Sequence, residues 1–409
     1  MTSNWADGPT RKIHPHSARV APLEETERRL GQIQRLVPIT RVSDLTPLDP
    51  LGVPVFIAVT PLARDLTTHA GKGACPRSAR VSAMMEAVER VSAERPGEES
   101  TIVGSARELA EEGFDVVDPR RFQLPSDTTY DPTRQYRWVR SSELHAQRDV
   151  LMIEDLVCSP PSAGVLHDVD TNGLASGNTK LEAVVHGLCE VIERDLISQV
   201  EFATLFADPG ELQLRVRGVV LETLPAPAQG WIERSASHGL AVCVQHLESD
   251  LGVPTFRVLL IDPSYPSPAG PSAATFVGFG AHPNAELAVV RALSEAFQSR
   301  VGFIHGGRDS FNTFGGSARR QSLRARCEAV ALPATLGFQD ILGASHADLR
   351  DDLAYLLAQL TAAGFTEVVA TDLTRRELGI PVVRVRVPGF ESFVVNRRRV
   401  GFRCLRHLV

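Results

Sequence analysis

No apolar run in this 409-residue chain approaches the roughly 20 residues of a membrane-spanning helix. The longest, such as GVPVFIAV at 52–59, are strand-sized, which excludes a helical membrane protein. The N-terminal MTSNWADGPTRKIHPHSAR has no apolar core, so it does not read as a signal peptide. Its expected role is a flexible lead-in over residues 1–17. The six cysteines lie far apart, with no CxxC, which excludes a local zinc or redox motif. They read as reduced, buried thiols of a cytoplasmic protein. A net charge of -6 favours neither nucleic acid nor an anionic membrane surface. Walker A is missing: GKG at 71–73 has neither the leading glycine spacing nor a following Ser or Thr. GFG at 278–280 is not GxGxxG, so any nucleotide needs an unusual site.

What the chain does contain is internal repetition. LGVPVFIAV starts at Leu51, LGVPTFRVL at Leu251 and LGIPVVRVR at Leu378. Each sets Gly and Pro ahead of a β-branched run, a turn feeding a strand. A second repeat is helical: GKGACPRSARVSAMMEAVER (71–90), GLASGNTKLEAVVHGLCEVIER (173–194) and GFGAHPNAELAVVRALSEAFQSR (278–300). Each has a Gly-containing turn, a small or polar N-cap-like residue, and an alanine-rich helix carrying a glutamate. Glu86, Glu190 and Glu295 recur at near-equal spacing, as if one architecture were used three times. Strands are expected at 255–262, 273–281 and 382–388, and a structural amphipathic helix at 347–364. The pattern implies a mixed α/β (α+β) fold, sheets covered by helices, not a doubly wound parallel sheet.

On a helical wheel, Ser82, Glu86 and Glu89 fall within about 60° of one another. Asn178, Glu182, His186, Glu190 and Glu193 form a second stripe, and Arg291, Glu295 and Gln298 a third. The remaining positions are mostly Ala, Val, Leu, Ile and Met, so these helices are buried on most sides. Gathered in one fold, Glu86, Glu89, Glu182, Glu190, Glu193 and Glu295 cannot all stay ionised without cations. A hard divalent ion, Mg²⁺ above all, answers that need; a solvated or salt-bridged acidic cluster is the alternative. Arg90, Arg194, Arg291 and Arg300 flank the acids in sequence. Carboxylate, metal and arginine together suit a polyphosphate. Lys72 fits a phosphate contact or an ordinary surface turn, and His186 a ligand or a core histidine.

GKG…SxxxExxER at 71–90, NGLASGNTKLEAVVHGLCEVIERD at 172–195 and RALSEAFQSRVGFIHGGRD at 291–309 resemble the YcaO family. The resemblance runs from about Arg19 to the end and implies one catalytic domain over 18–409. Residues 18–60 would contribute to the nucleotide site. It implies ATP and Mg²⁺ in a carboxylate-lined pocket formed by three acidic helices. The implied reaction is at a peptide backbone amide, whose oxygen is phosphorylated after a nucleophile adds. Glu86, Glu89, Glu190 and Glu193 match acidic pairs holding Mg²⁺. Asn178, Glu182, Arg194, Arg291 and Glu295 match nucleotide and metal contacts, with Ser82 and Lys72 nearby. ARVAPLEET at 18–26 resembles a phosphate-reaching segment, which recruits Arg19 and Thr26. His305 and Asp309 are candidates for the border of the peptide site.

The ending GFRCLRHLV lacks the Pro-rich tail typical of azoline-forming relatives. The stretches 25–56 and 379–391 look most like the subgroup that works with a TfuA-type partner to make thioamides. The expected partners are therefore a ribosomally made peptide and a TfuA-type sulfur-delivery protein, with a homodimer implied by resemblance. Azoline or amidine formation, and a non-catalytic nucleotide-binding scaffold, are the alternatives.

Overall fold

In a computed structural model of the chain, the described residues are 5–14, 17–95, 100–206, 216–262, 275–306 and 333–408. They form three sheets. The first holds β1 (Arg41–Asp44), β2 (Val55–Val59) and β3 (Thr68–Lys72) in that order. The second holds β4 (Thr101–Gly104), β5 (Tyr136–Glu143), β6 (Arg148–Ile153) and β7 (Leu174–Ser176) with β13 (Val369–Asp372) and β14 (Val382–Arg386). The third holds β8 (Val216–Val219), β9 (Ala241–Leu247), β10 (Thr255–Ile261), β11 (Thr275–Ala281) and β12 (Ala334–Leu336). Strand pairing is antiparallel except between β8 and β12. A mixed α/β fold of sheets covered by helices is what the repeats imply.

The helices are α1 (Leu23–Ile33), α2 (Pro76–Ala93), α3 (Ala106–Glu111), α4 (Glu154–Val157), α5 (Lys180–Phe206), α6 (Ala226–Ser237), α7 (Ala285–His305), α8 (Leu349–Ala362) and α9 (Phe402–Leu405). Three of them carry the repeated acidic pattern, and each lies on one sheet. α2 covers β2–β3, α5 covers β14–β7, and α7 covers β10–β11.

The LG-Pro turns behave alike. Gly52, Gly252 and Gly379 all sit near φ +60, the left-handed region where a Cβ is unfavourable, and each turn opens into β2, β10 or β14. In the first and third units the strand continues through a hairpin into its helix. The second unit is split. β7 leads into α5, but its partner β14 comes from near the C-terminus, with Val382 opposite Ser176.

Alanine sets the distance between helix and sheet. Ala79, Ala83 and Ala87 of α2 are fully buried at i,i+4 spacing, as are Ala288, Ala292 and Ala296 of α7. The facing strands answer with glycine. A Cβ on Gly71 would stand 2.0 Å from the Ala83 nitrogen, and one on Gly278 2.1 Å from the Ala292 oxygen. So these helices lie against their sheets by an alanine stripe, and the acidic stripe sits about 90° round the helix from it.

The helix starts are also repeated. Asn284 Oδ1 accepts the Glu286 and Leu287 N–H groups at 2.9 and 3.2 Å. Thr179 Oγ1 accepts Glu182 N–H at 3.2 Å, and Ser78 Oγ accepts Cys75 N–H at 3.1 Å. The residues just ahead of the helices, Cys75, Thr179 and Asn284, stand equally far ahead of Glu86, Glu190 and Glu295.

One expectation is corrected here. Residues 10–13 are not a loose lead-in. Lys12 N–H donates to the Ala347 carbonyl at 2.9 Å, Leu349 N–H donates to the Thr10 carbonyl at 2.9 Å, and Lys12 is buried. Local apolar content gives no sign of this, because the anchoring partner lies more than 300 residues away.

Candidate functional site: a cavity between three acidic helices

The acidic stripes of α2, α5 and α7 face one cavity of about 810 Å³, a size suited to a small-molecule ligand. From α2 come Ser82, Glu86 and Glu89. From α5 come Glu182, His186, Glu190, Glu193 and Arg194, and from α7 Arg291, Glu295, Gln298 and His305. Lys72 enters from β3, Asn178 from the turn before α5, and Arg19 and Thr26 from the N-terminal segment. All the site residues expected from the sequence that fall within the described residues therefore meet there. Asp309 lies outside the described residues.

Arg300 is the exception among the flanking arginines. It turns away from the acids into a buried pairing with Asp49 at 2.9 Å and Asp262 at 3.2 Å. Arg90 bonds Asp65 at 2.9 Å and stands 3.7 Å from Glu86.

The carboxylates differ in their surroundings. Glu182 is buried and committed. It accepts Arg19 Nη1 at 2.8 Å, Val20 N–H at 3.0 Å, and Asn178 N–H and Nδ2 at 3.2 and 3.1 Å. Asn178 in turn accepts the Thr26 hydroxyl at 2.8 Å. Glu182 thus ties the N-terminal segment to the cavity wall. Glu295 bonds Lys72 Nζ at 3.1 Å. Burial alone would raise its pKa, but the Lys72 and Arg194 charges outweigh this and hold it below the ordinary value. Lys72 is therefore a cavity residue and not a surface turn.

Glu89 and Glu193 are poorly compensated. Burial pushes Glu89 up to about 7; the Ser176 hydroxyl at 2.7 Å opposes this and Glu86 adds to it. Burial, reinforced by Glu295, also raises Glu193 to about 7, although it accepts Ala281 N–H at 3.1 Å. Glu190 is raised too, mainly by burial, with Arg194 and Arg291 opposing. Burial, then Arg291, drives His186 well below the usual imidazole value. Its Nε2 stands 3.1 Å from Arg291 Nη2, and because arginine can only donate, that nitrogen accepts.

The donor set suits Mg²⁺. Its ligands are carboxylate oxygens; the one cysteine on α5, Cys189, is buried in the core. Among the described residues, no three His, Cys, Asp or Glu side chains converge on a metal position.

Ser176 and the apolar residues Leu45, Val55, Ile57 and Met85 also line the cavity. Sequence reasoning did not single them out. Ser176 stands in the quoted GLASGN motif and could have been flagged as a polar residue beside a turn. The apolar wall looks like ordinary core in the sequence.

A three-sheet α/β fold with an acid-lined cavity defines a class of nucleotide- and metal-using protein without a P-loop. Comparison with known proteins makes this specific. The family described as YcaO cyclodehydratase, ATP- and Mg²⁺-binding, matches residues 70–391. A protein of Methanothermobacter thermautotrophicus is 35% identical over 403 residues, covering 96% of this chain and 99% of its own. An uncharacterised protein from the tfuA 3' region of Rhizobium leguminosarum bv. trifolii is 30% identical over 376 residues, 86% of this chain and 84% of its own. The structure of YcaO from Methanopyrus kandleri bound with AMPPCP and Mg²⁺ aligns with a TM-score of 0.75 at 27% identity, covering 96% of this chain and 98% of that one. The chain belongs to the YcaO family. It is thus a member of an enzyme family that uses ATP and Mg²⁺. Among the described residues, no helix is long and apolar enough to cross a membrane.

Proposed function

We propose that this enzyme uses MgATP to install a thioamide in the backbone of a ribosomally made peptide, together with a TfuA-type sulfur-delivery protein. The observation that carries the ATP-dependent step is the meeting of the three acidic helices, Lys72 and Arg19 around one cavity. The sulfur step is supported by the relative in the tfuA 3' region and by the resemblance of residues 25–56 and 379–391 to TfuA-associated members.

When bound, MgATP supplies the phosphoryl group that turns a poor leaving group, the amide oxygen, into a phosphate ester. The chain's own residues bind, orient and exclude. Glu86, Glu89, Glu190 and Glu193 would hold Mg²⁺, and Glu295 would share that role. Glu182 orients Arg19 and Asn178 toward the nucleotide, while Lys72, Arg194 and Arg291 supply positive charge to its phosphates. Ser82 and Thr26 offer hydroxyls. His305, at the C-terminal end of α7, and Asp309 would border the peptide. The protein is expected to work in the cytoplasm as a homodimer, as one domain over 18–409 to which residues 10–13 are also anchored.

The test is incubation with a candidate precursor peptide, MgATP, sulfide and the TfuA-type protein, followed by mass spectrometry. Exchange of oxygen for sulfur supports the proposal. The family's description as a cyclodehydratase favours a second reading, azoline formation, whose product instead loses water. Nucleotide binding with an unchanged peptide mass would point to the scaffold role.

A further inference from the structure

Arg19 raises a mechanical problem. It reaches the cavity from a segment outside any helix or strand, its side chain is 46% exposed, and its ion pair within the site is to Glu182. A long side chain on loose backbone loses much of its binding value to rotamer entropy, so something must hold that backbone. Part of the answer is local: Arg19 N–H donates to Ser17 Oγ at 3.0 Å, and Val20 N–H to Glu182 at 3.0 Å. The rest comes from further off. Ile13 N–H donates to the Arg19 carbonyl at 2.9 Å, and Ile13 itself lines the cavity. Next to Ile13, Lys12 Nζ lies 2.5 Å from Asp352 Oδ2 of α8, and neither side chain has any exposed surface. Asp352 also contacts His346 Nδ1 at 2.9 Å, and Thr10 Oγ1 donates to Asp348 Oδ2 at 2.8 Å.

A buried ion pair is an expensive way to gain stability, because each ion loses its hydration, and apolar residues of like volume often serve as well. What the pair does supply is register. One lysine in one polar slot fixes which residue of the segment meets α8, and so where Arg19 emerges, as a single buried polar contact fixes the register of packed helices.

We propose that Lys12 is a positioning residue for the nucleotide site, acting through Asp352 to anchor the segment that presents Arg19. The inference rests on the reading of Arg19 as a nucleotide contact. It assigns function to the part of the chain that looks least structured in the sequence.

The test is a double-mutant cycle on the full chain, reading affinity for a non-hydrolysable MgATP analogue by titration calorimetry. Lys12→Met is expected to weaken binding about tenfold when Arg19 is present and less than about twofold in an Arg19→Ala background. Equal loss in both backgrounds would mean a general loss of structure and overturn the proposal, as would no loss in either. If Arg19→Ala weakens binding and Lys12→Met does not, only the anchor falls and the nucleotide assignment stands. If Arg19→Ala has no effect, the nucleotide role of Arg19 falls, and the anchor with it. Thr10→Val, which buries no charge, covers the case in which Lys12→Met fails to fold. It is expected to give a smaller loss of affinity, again only when Arg19 is present; no loss, or equal loss in both backgrounds, counts against the anchor.

Discussion

Two groups of buried charge lie close together in this molecule, and they are finished to different degrees. Beneath the second sheet, Arg384, Arg386 and Arg399 surround Asp170, and all four are nearly inaccessible. Arg386 and Arg399 bond the carboxylate at 3.0 and 2.7 Å. Arg384 donates to the carbonyls of Val157, Asn172 and Asp170, and Arg399 to those of Gln123 and Phe122. Burial alone would raise Asp170, but Arg386, Arg399 and Arg384 overcome it and keep the carboxyl well below its usual range. Burial and the neighbouring Arg386 push Arg384 down to about 9. The Asp170 carboxylate is thus met entirely by protein groups.

Two cavity carboxylates are not met in this way. Glu193 is buried as severely and Glu89 is half-buried at the cavity wall, yet both are pushed up to about 7. The fold supplies Asp170 with three guanidinium groups and leaves the cavity acids Glu89 and Glu193 short of positive charge. Structural charge is compensated from within the chain, whereas functional charge is left for a ligand to compensate. That contrast favours a metal-nucleotide site over a salt-bridged acidic cluster.

The contrast can be broken most severely at the cavity. Glu190→Ala combined with Glu193→Ala is expected to lower ATP-dependent peptide modification by at least about 10²–10³-fold, as loss of preorganised charge at a reacting centre does. The protein should stay folded by circular dichroism, since these acids are not supporting the core. Chelation of Mg²⁺ should have the same effect and be reversed by adding it back. Full activity in the double variant would place the metal elsewhere.

At the finished cluster the consequences should be reversed. Asp170→Asn leaves three buried arginines without a countercharge and is expected to cost about 3–5 kcal/mol of folding stability. Denaturant titration measures that loss, and nucleotide affinity of the remaining folded fraction should be unchanged. A stable Asp170→Asn protein with weakened nucleotide binding would erase the distinction.

A smaller effect is expected where the two kinds of group meet. Ser176→Ala removes the hydroxyl bonded to Glu89 at 2.7 Å, a bond to a charged acceptor worth about 1.5–3 kcal/mol. Affinity for the MgATP analogue should drop about tenfold, with little change in thermal stability.

The smallest signal is in pH. In the metal-free protein, Glu89 and Glu193 titrate near 7, against 4.5 in the unfolded chain. Between those values the folded state binds more protons, so stability should decline as pH rises through that window. Glu193→Gln should flatten the decline, and analogue affinity should rise over the same window as bound protons are released. A melting temperature that climbs from pH 5 to 7 through these groups would contradict the assignment.

Much of this could be read from the sequence because it is encoded locally. Glu86, Glu190 and Glu295 declare themselves by helical periodicity, and the LG-Pro turns by residue types suited to left-handed backbone at Gly52, Gly252 and Gly379. The direction of Arg300 could not be read for the opposite reason. The residue sits on the right helix, but its direction is decided by Asp49 and Asp262, each far away in sequence. Ser176 was passed over because its importance comes from Glu89, on another helix.

The sequence by itself determined three capped helices faced with small residues, the acidic stripe on each, and the strands that precede or pair with them. Those follow from propensity, periodicity and turn chemistry within some 20 residues. Only the tertiary structure decided that β14 completes the unit begun by β7, that Arg384 and its neighbours enclose Asp170, and that Lys12 reaches Asp352. Such contacts join residues more than 200 positions apart, and no local pattern specifies them. They form because burying the helices and sheets against one another leaves each buried charge only a few partners within reach.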